Sequence, residues 1–188
     1  FLPGPAVVIN TKKLTEKEMM FQIALDRKKP LGHRPGQFVE ASIMGFGEAP
    51  FGVSSSPTLK SHFELVVRAV GNVSRAMHRL RKGDMLGIRG PFGNGFDTEL
   101  LRGKDLLFIS GGLGIVPLRS LINYVFHYRK DYGHIIILYG CKEPCELLFS
   151  DEVSEWDRQP DTERHLTVDK CPDGECWEGN IGVITTLI

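Results

Sequence analysis

Three glycines follow an apolar segment near the middle of the chain. The sequence "FIS" leads directly into Gly111, Gly112 and Gly114. Glycines let the backbone turn sharply and let a ligand come close to it. The helix predicted over residues 117–128 starts at Pro117, which suits a first helical turn, and its N-terminus attracts anions. We therefore expect a phosphate-bearing ligand here, although glycines alone are also compatible with a ligand-free turn.

Two further segments place polar or small residues where a buried strand ends. Gly140 and Cys141 end the apolar run "HIIILYGC", and Asp169 ends "RHLTVD". Ligands of open α/β sheets bind at the carboxyl ends of strands, so Gly140 would allow close approach there. Cys141 would line the pocket or be an inert buried thiol. Asp169 would bind a ribose hydroxyl or cap the following turn.

A second candidate anion site lies in the first half of the chain. Gly71, Asn72, Val73 and Ser74 open a short helix predicted over residues 73–81 and would offer backbone N–H groups and a hydroxyl. The glycine-rich stretch "RGPFGNGF" over residues 89–96 either closes a turn or contacts a ligand. The first half of the chain thus also predicts a site for a phosphate group.

The elements that hold these residues fall into two halves. The segments "AVVIN", "MMFQIALD", "QFVEASIM", "HFELVVRAV" and "DMLGIRG" are short strands with turns between them, which is typical of an antiparallel barrel. After residue 102, the apolar strands "LLFIS", "HIIILYG" and "RHLTVD" alternate with helices predicted over 117–128 and 147–156. This alternation predicts a parallel sheet covered on both faces, with a fourth strand in "GVITTLI".

The fold class that follows is α+β with two domains. An N-terminal antiparallel β-barrel would occupy residues 1–102, and a parallel α/β domain of Rossmann type would occupy residues 103–188. A parallel sheet of three or four strands leaves one end uncovered. We therefore expect the second domain to be incomplete at its C-terminus.

Composition excludes several classes of function. The 188 residues contain 23 Lys and Arg against 23 Asp and Glu, so no net charge favours nucleic acid or an anionic membrane. The apolar runs are too short for a transmembrane segment, and the start of the chain does not resemble a signal peptide. The four cysteines are interpreted as thiols of a cytoplasmic protein. Their wide spacing argues against a metal site in this chain, although a metal-binding module is the weaker alternative.

The order of these motifs resembles the ferredoxin–NADP reductase superfamily. "GNVS", "RGPFGNGF", "SGGLGIVPLRSL" and "LYGCKEPCELLFSDEVSEW" carry the likeness, which covers essentially the whole chain. It is similar above all to gamma subunits of cytoplasmic hydrogenases and to the flavin-binding subunits of anaerobic sulfite reductases, with electron-transfer subunits of dihydroorotate dehydrogenase as relatives. The resemblance implies a Greek-key barrel that binds FAD and a Rossmann-like domain that binds NAD(P).

The resemblance also implies an activity and partners. Electrons would move between NAD(P)H and an iron–sulfur partner by way of FAD, within a complex with hydrogenase or reductase subunits. A [2Fe-2S] cluster would lie in a further C-terminal segment. The alternative is a flavin-bearing structural or relay subunit without a nicotinamide reaction of its own.

The resemblance transfers cofactor roles to particular residues of this sequence. The flavin ring would lie along one strand, the FAD pyrophosphate at the first glycine turn, and the nicotinamide dinucleotide at the second turn and the two later strand ends. In chain order these residues are Ala49, Pro50, Phe51, Gly52, Val53 and Ser54, then Gly71, Asn72, Val73 and Ser74, then Gly111, Gly112, Gly114, Ile115 and Pro117, and finally Gly140, Cys141 and Asp169.

The flavin strand departs from the superfamily pattern Arg-x-Tyr-Ser. Ala49 stands in place of the arginine and Gly52 in place of the serine. Arg68 would supply the missing positive charge, and Ser54 a hydrogen bond near the flavin ring. The departure leaves both FAD and FMN open. The acidic Glu143 and Glu146 near the end of the second parallel strand favour NAD(H) over NADP(H).

Overall fold

The first half of the chain folds into one antiparallel sheet. The computed structural model describes residues 2–26, 29–173 and 176–188. The strands and the helix of this half are β1 (Gly4–Lys13), β2 (Glu18–Leu25), β3 (Phe38–Ile43), β4 (Gly47–Gly52), β5 (Phe63–Arg68), α1 (Asn72–Met77) and β6 (Met85–Phe92). The strand order is β4-β3-β6-β1-β2-β5. A bridge between Val53 and Leu65 joins the two outer strands, so the sheet closes into the predicted barrel.

Alternating apolar residues fill the barrel. Inward-facing side chains of β1, β2, β3 and β5 are removed from solvent, because successive residues of a strand point to opposite faces. Helix α1 covers one end of this core. The buried set includes Val8, Phe21, Ile23, Val39, Val53, Phe63, Leu65 and Met77.

The second half forms a parallel sheet with one main helix. Its elements are β7 (Leu106–Gly111), α2 (Ile115–His127), β8 (Ile135–Cys141), α3 (Ser150–Val153), β9 (Thr162–Val168) and β10 (Asn180–Ile181). The order is β10-β9-β8-β7, and every pair is parallel. Met20 and Val66 of the barrel pack into this second core. The two halves therefore share apolar contacts as well as a chain connection.

Three sequence predictions for this domain were wrong in detail. The edge strand β7 is not covered on both faces, as shown by Leu107 and Ile109, which are 56% and 41% exposed. The helix predicted over 147–156 is reduced to α3, since Phe149 takes φ 58° immediately before it. The segment "GVITTLI" is not a strand: β10 precedes it, and Ile184–Leu187 forms a 3₁₀ helix.

The remaining helices agree with their predictions apart from their ends. Helix α2 starts at Ile115, two residues before the prediction, and α1 ends at Met77 rather than near residue 81. Within the described residues, no helix combines the length and the apolar character that crossing a bilayer requires.

Candidate functional site

The glycine turn after β7 faces open space. Gly111 ends the strand, Gly112–Gly114 forms one 3₁₀ turn, and α2 starts at Ile115. Gly112 has φ +49°, which a residue with a side chain rarely adopts. A Cβ on Gly111 or Gly112 would meet nothing within 4 Å. Gly114, at the N-cap of α2, makes no side-chain cap hydrogen bond, so the helix start remains available to an anion.

A cavity of about 430 Å³ lies over this turn. Its volume falls in the range of small-molecule and cofactor sites. It brings together the predicted residues Gly111, Gly112, Gly140, Cys141 and Asp169, together with Arg68 from the barrel. The structure therefore unites residues from three strand ends, as the sequence predicted from the parallel topology.

Gly140 lines the cavity and also lies under the C-terminal 3₁₀ helix. A Cβ at this position would lie 3.1 Å from Thr167 Cγ2 and 3.3 Å from Ile184 Cβ. The missing side chain therefore also allows the 3₁₀ helix to pack on the sheet, a contact that the sequence did not predict. Val183 and Ile184 consequently line the cavity, although the sequence placed these residues in a strand.

The Tyr139 hydroxyl makes a hydrogen bond to the glycine turn from the protein interior. Its hydroxyl donates to the Gly112 carbonyl at 3.4 Å and accepts from the Leu148 amide at 3.2 Å. The side chain is fully buried, and this burial raises the pKa of the phenol, which stays neutral. The sequence shows Tyr139 as one more residue of an apolar strand and gives no signal of this contact.

Cys141 lies in the cavity wall as an unreactive thiol. It is 6% exposed, and its Sγ donates to the Glu143 carbonyl at 3.2 Å. Burial raises the pKa of Cys141 to about 12. Because only the thiolate is a strong nucleophile, this residue shapes the pocket rather than reacting.

Charged side chains at the cavity are largely paired. The Arg68 guanidinium binds Glu18, whose side chain is wholly buried, so a carboxylate already balances its charge. Glu146 pairs with Lys17 from the barrel. Asp169 is exposed just after β9 and lines the cavity. Lys142 lines it as well, so the ligand end of the parallel strands carries side chains of both signs.

The predicted flavin strand touches the predicted nicotinamide turn. The Cβ of a side chain at Gly52, the last residue of β4, would lie 3.9 Å from Pro117 Cβ. Ala49 and Phe51 of the same strand are half-buried, and Pro50 is exposed. Two sites that the sequence places in different domains are therefore adjacent in space.

Ser54 has another partner than the predicted one. It is completely buried, and its Oγ accepts a hydrogen bond from Arg119 Nη1 at 2.9 Å. Val53 is buried in the barrel core. The part of the predicted flavin strand that can meet a ligand is therefore β4 itself.

The turn before α1 is organised by a serine hydroxyl. Ser74 Oγ accepts from the amides of Val70 and Gly71, at 3.0 Å and 2.8 Å, and donates to the Gly71 carbonyl at 3.1 Å. Its hydroxyl therefore holds the turn. Gly71 has no side chain to cap the helix, so the backbone around Asn72 and Val73 is left for an anion.

A buried hydroxyl beside the main turn fits a nucleotide ligand. Ser110 Oγ has no hydrogen-bond partner among the described residues, and its Cβ lies 3.8 Å from the Cβ position of Gly114. An unsatisfied buried hydroxyl is costly, which favours a polar ligand as its partner. Together with the open glycines, this hydroxyl fits a nicotinamide dinucleotide.

A barrel with a glycine turn at a helix start contacts, at Gly52 and Pro117, a parallel domain that has a second such turn. Residues 5–96 match the oxidoreductase FAD-binding domain, and residues 108–188 match the oxidoreductase NAD-binding domain. The chain therefore carries an FAD-binding and an NAD-binding oxidoreductase domain, in the order that its motifs predicted, and its fold resembles that of ferredoxin–NADP reductases.

Curated relatives include subunits of larger enzymes. Sulfhydrogenase 2 subunit gamma of Pyrococcus furiosus is 42% identical over 151 residues, which are 79% of this chain and 52% of that protein. A probable dihydroorotate dehydrogenase B (NAD(+)) electron transfer subunit of Methanothermobacter thermautotrophicus is 43% identical over 121 residues, 64% of this chain and 42% of that one. The chain spans about half the length of these relatives.

Solved structures share the fold at low sequence identity. The ferredoxin reductase in carbazole 1,9a-dioxygenase has a TM-score of 0.82 at 20% identity, covering 98% of this chain and 55% of that one. The cytochrome b5 reductase domain of Ulva prolifera nitrate reductase has a TM-score of 0.77 at 19% identity, covering 96% and 78%. Both likenesses agree with the barrel and the parallel domain described above.

Proposed function

We propose that this chain is the flavin- and nicotinamide-binding part of an electron-transfer subunit. FAD, when bound, supplies the chemistry: it takes a hydride from NAD(P)H and gives up electrons singly. The contact between Gly52 and Pro117 is the main support for the proposal, because the two proposed cofactor sites would then be adjacent. The protein orients the cofactors and excludes water between them.

For the flavin, the proposal assigns the ring to the solvent-facing side of β4. Pro50 and Gly52 face that side, and the missing side chain at Gly52 leaves room there. Ala49 and Phe51 would contribute backbone, because they share a face with the buried Ala41 and Val39. The uncapped backbone at Asn72 and Val73 would bind the pyrophosphate, on a turn that the Ser74 hydroxyl holds in shape.

For the nicotinamide nucleotide, the proposal assigns the pyrophosphate to the start of α2. Gly111, Gly112 and Gly114 would admit it, and the Ser110 hydroxyl would gain its missing hydrogen bond. Ile115 and Pro117 would guide the nicotinamide toward β4.

The preferred nucleotide is proposed to be NAD(H). Asp169 at the end of β9 suits a ribose diol, since a carboxylate accepts hydrogen bonds from both hydroxyls. Glu146 adds a second carboxylate to the cavity lining. A 2′-phosphate beside Asp169 would be repelled by that carboxylate, whereas Lys17 already balances the charge of Glu146 and Lys142 also lines the cavity.

The electron acceptor is proposed to be an iron–sulfur centre. Two relatives are named as sulfhydrogenase gamma subunits and several as dihydroorotate dehydrogenase electron transfer subunits, which supports a hetero-oligomeric complex. The centre would lie in a partner subunit or as a [2Fe-2S] cluster in another segment of the same protein.

A visible absorption spectrum of the purified full-length protein, before and after anaerobic NADH, tests the proposal. The expected result is a flavin spectrum that NADH bleaches faster than equimolar NADPH does. A flavin that dithionite bleaches but neither nucleotide does would support the relay subunit instead. A colourless protein that takes up no added FAD would overturn the flavin assignment.

A further inference from the structure

Arg119 is a buried cation to which the proposed function assigns no role. It lies on the second turn of α2 and is 9% exposed. Its Nη1 donates to Glu64 Oε2 at 2.7 Å, and its Nε donates to Glu152 Oε2 at 2.8 Å. The guanidinium also stacks on the Phe149 ring at 4.4 Å. Every face of the cation is therefore occupied by protein.

These contacts cross the boundary between the two domains. Glu64 belongs to β5 of the barrel, whereas Glu152 belongs to α3 of the parallel domain. Nη1 reaches further into the barrel and contacts both the carbonyl and the hydroxyl of Ser54, at 3.2 Å and 2.9 Å. The next residue, Ser120, donates its hydroxyl to the Ser55 carbonyl at 2.6 Å. Two consecutive residues of α2 thus hold the end of the flavin strand.

The contact lies close in sequence to both proposed cofactor sites. Ser54 stands two residues after Gly52, and Arg119 stands two residues after Pro117. Pro117 and Arg119 lie on the same helix, and β4 ends at Gly52, two residues before Ser54. Fixing Ser54 to Arg119 therefore limits how far Gly52 can move from Pro117.

The exposed ion pair between Lys12 and Asp151 is a poor candidate for the same task. Lys12 and Asp151 pair at 3.0 Å, but their side chains are 54% and 85% exposed. Solvent and salt screen such a pair, and two long flexible side chains give little orientation. A planar guanidinium with several directed hydrogen bonds specifies both distance and angle.

We propose that Arg119 is a positioning residue for hydride transfer, which rests on the proposed function. It acts through Ser54 and Glu64 by holding β4 at the distance where a nicotinamide stacks on the flavin. Displacements of about 1 Å in such a geometry cost about 100-fold in rate. Binding of each cofactor alone does not require the contact.

The test compares single and double variants of the FAD-loaded, full-length protein in stopped flow. Arg119→Met should slow flavin reduction at saturating NADH at least 10-fold, with the dissociation constant for NADH changed less than 3-fold. It should also weaken the long-wavelength charge-transfer absorbance of the flavin–nicotinamide complex. Arg119→Met alone leaves the Glu64 carboxylate buried and unpaired. The double variant with Glu64→Gln removes that charge, so it should fold and should show the same kinetic loss.

Two matched controls separate positioning from general stability. Lys12→Met breaks an exposed pair between the domains, and Arg164→Met breaks the pair with Asp157 inside the parallel domain; both should keep the reduction rate within 2-fold. The proposal is overturned if Arg119→Met leaves the rate of flavin reduction unchanged. It is also overturned if the variant weakens NADH binding instead of slowing reduction at saturating NADH.

Amide hydrogen exchange of the flavin-free protein gives a readout that does not depend on the reaction. The Val53 and Ser54 amides bond the Gln37 and Glu64 carbonyls at 3.0 Å and 2.9 Å. They should exchange at least 10-fold faster in Arg119→Met than in wild type or Lys12→Met. If NADH fails to reduce the flavin of the wild-type protein, the proposed function fails. Equal amide hydrogen-exchange rates in all variants would separately overturn the positioning role of Arg119.

Discussion

Pro117 Cβ lies 3.9 Å from the position that a Cβ on Gly52 would occupy, so β4 and the start of α2 meet with no side chain between them. One residue belongs to the FAD-binding domain and the other to the NAD-binding domain. A Cβ at this position would make ordinary van der Waals contact with Pro117 and would meet no other described atom within 4 Å. We expect a cofactor pair that reacts across this boundary to do so beside these two residues.

The first prediction concerns the size of residue 52. Gly52→Val should leave the fold and FAD binding intact, because valine suits a strand, but it should push the nicotinamide away from the flavin. We expect at least a 10-fold slower reduction by NADH and unchanged reduction by dithionite. Gly4→Val, at an exposed strand glycine, is the control and should react like wild type. Normal NADH kinetics in Gly52→Val would show that the cofactors meet elsewhere.

The second prediction concerns Gly112. Gly112→Ala places a methyl group in the open space over the turn and forces a side chain into φ +49°. The strain costs roughly 1 kcal/mol of folding free energy, whereas the methyl group should raise the KM for NADH about 10-fold or more by the loss of direct phosphate contacts. Steady-state kinetics and urea unfolding measure both effects.

Gly103→Ala is the matched control for the strain at Gly112. Gly103 has φ +70° and open space around it, so alanine there should give a similar stability loss with no change in KM. Equal KM values for the two variants would place the nucleotide away from the turn.

The third prediction concerns Tyr139. Tyr139→Phe removes the hydroxyl that bonds Gly112 and leaves the buried Leu148 amide without its partner. We expect a loss of about 1–3 kcal/mol in unfolding free energy and a lower melting temperature by calorimetry. Tyr128→Phe, at a 41% exposed ring, should change stability by less than about 0.5 kcal/mol. Indistinguishable melting of Tyr139→Phe and wild type would contradict the support role.

The fourth prediction is a pH dependence from Cys141. Its pKa is raised to about 12 in the folded protein, above that of an unfolded cysteine near 8.5. The folded state then keeps a proton that the unfolded chain releases, so this contribution is full below pH 8.5 and declines as pH rises toward 12. Between pH 8 and pH 10.5 the protein should lose about 2.5 kcal/mol of unfolding free energy through this group.

Denaturant unfolding of wild type and Cys141→Ala at the two pH values checks the prediction. The variant lacks the thiol and should show the smaller decline in unfolding free energy. A parallel decline in both proteins would mean that Cys141 titrates alike in the folded and unfolded states.

Local sequence patterns predicted the parts of the fold that depend on interactions between residues close in the chain. Alternation gave the barrel strands, and the glycine–proline spacing around Gly112 gave the start of α2. Burial was harder to predict. Leu107 and Ile109 are apolar like core residues, but the strand order places β7 at the edge of the sheet, where they are exposed. Tertiary packing of Ile184 on Gly140 likewise overrode the strand propensity of the last apolar segment.

The candidate site was predicted to a similar extent. The strand-end residues Gly111, Cys141 and Asp169 do share one cavity, since parallel topology brings such ends together. The supporting contacts were not foreseen, because Tyr139 and Arg119 meet their partners only across elements far apart in the chain. Nothing in the local sequence of α2 distinguishes Arg119 from a solvent-facing arginine.

The order of the barrel strands has a consequence for how the domain forms. Strand β1 lies between β2 and β6, and its residue Gly4 pairs with Ile88. During synthesis, one edge of β1 therefore stays unpaired until the much later β6 has been made. Until then β1 and β2 form a hairpin with an unpaired edge, and the loop that must close spans most of the barrel. Long-range closure of this kind makes folding slow, so assembly of the barrel, rather than of the more locally connected parallel domain, should set the pace at which the protein matures.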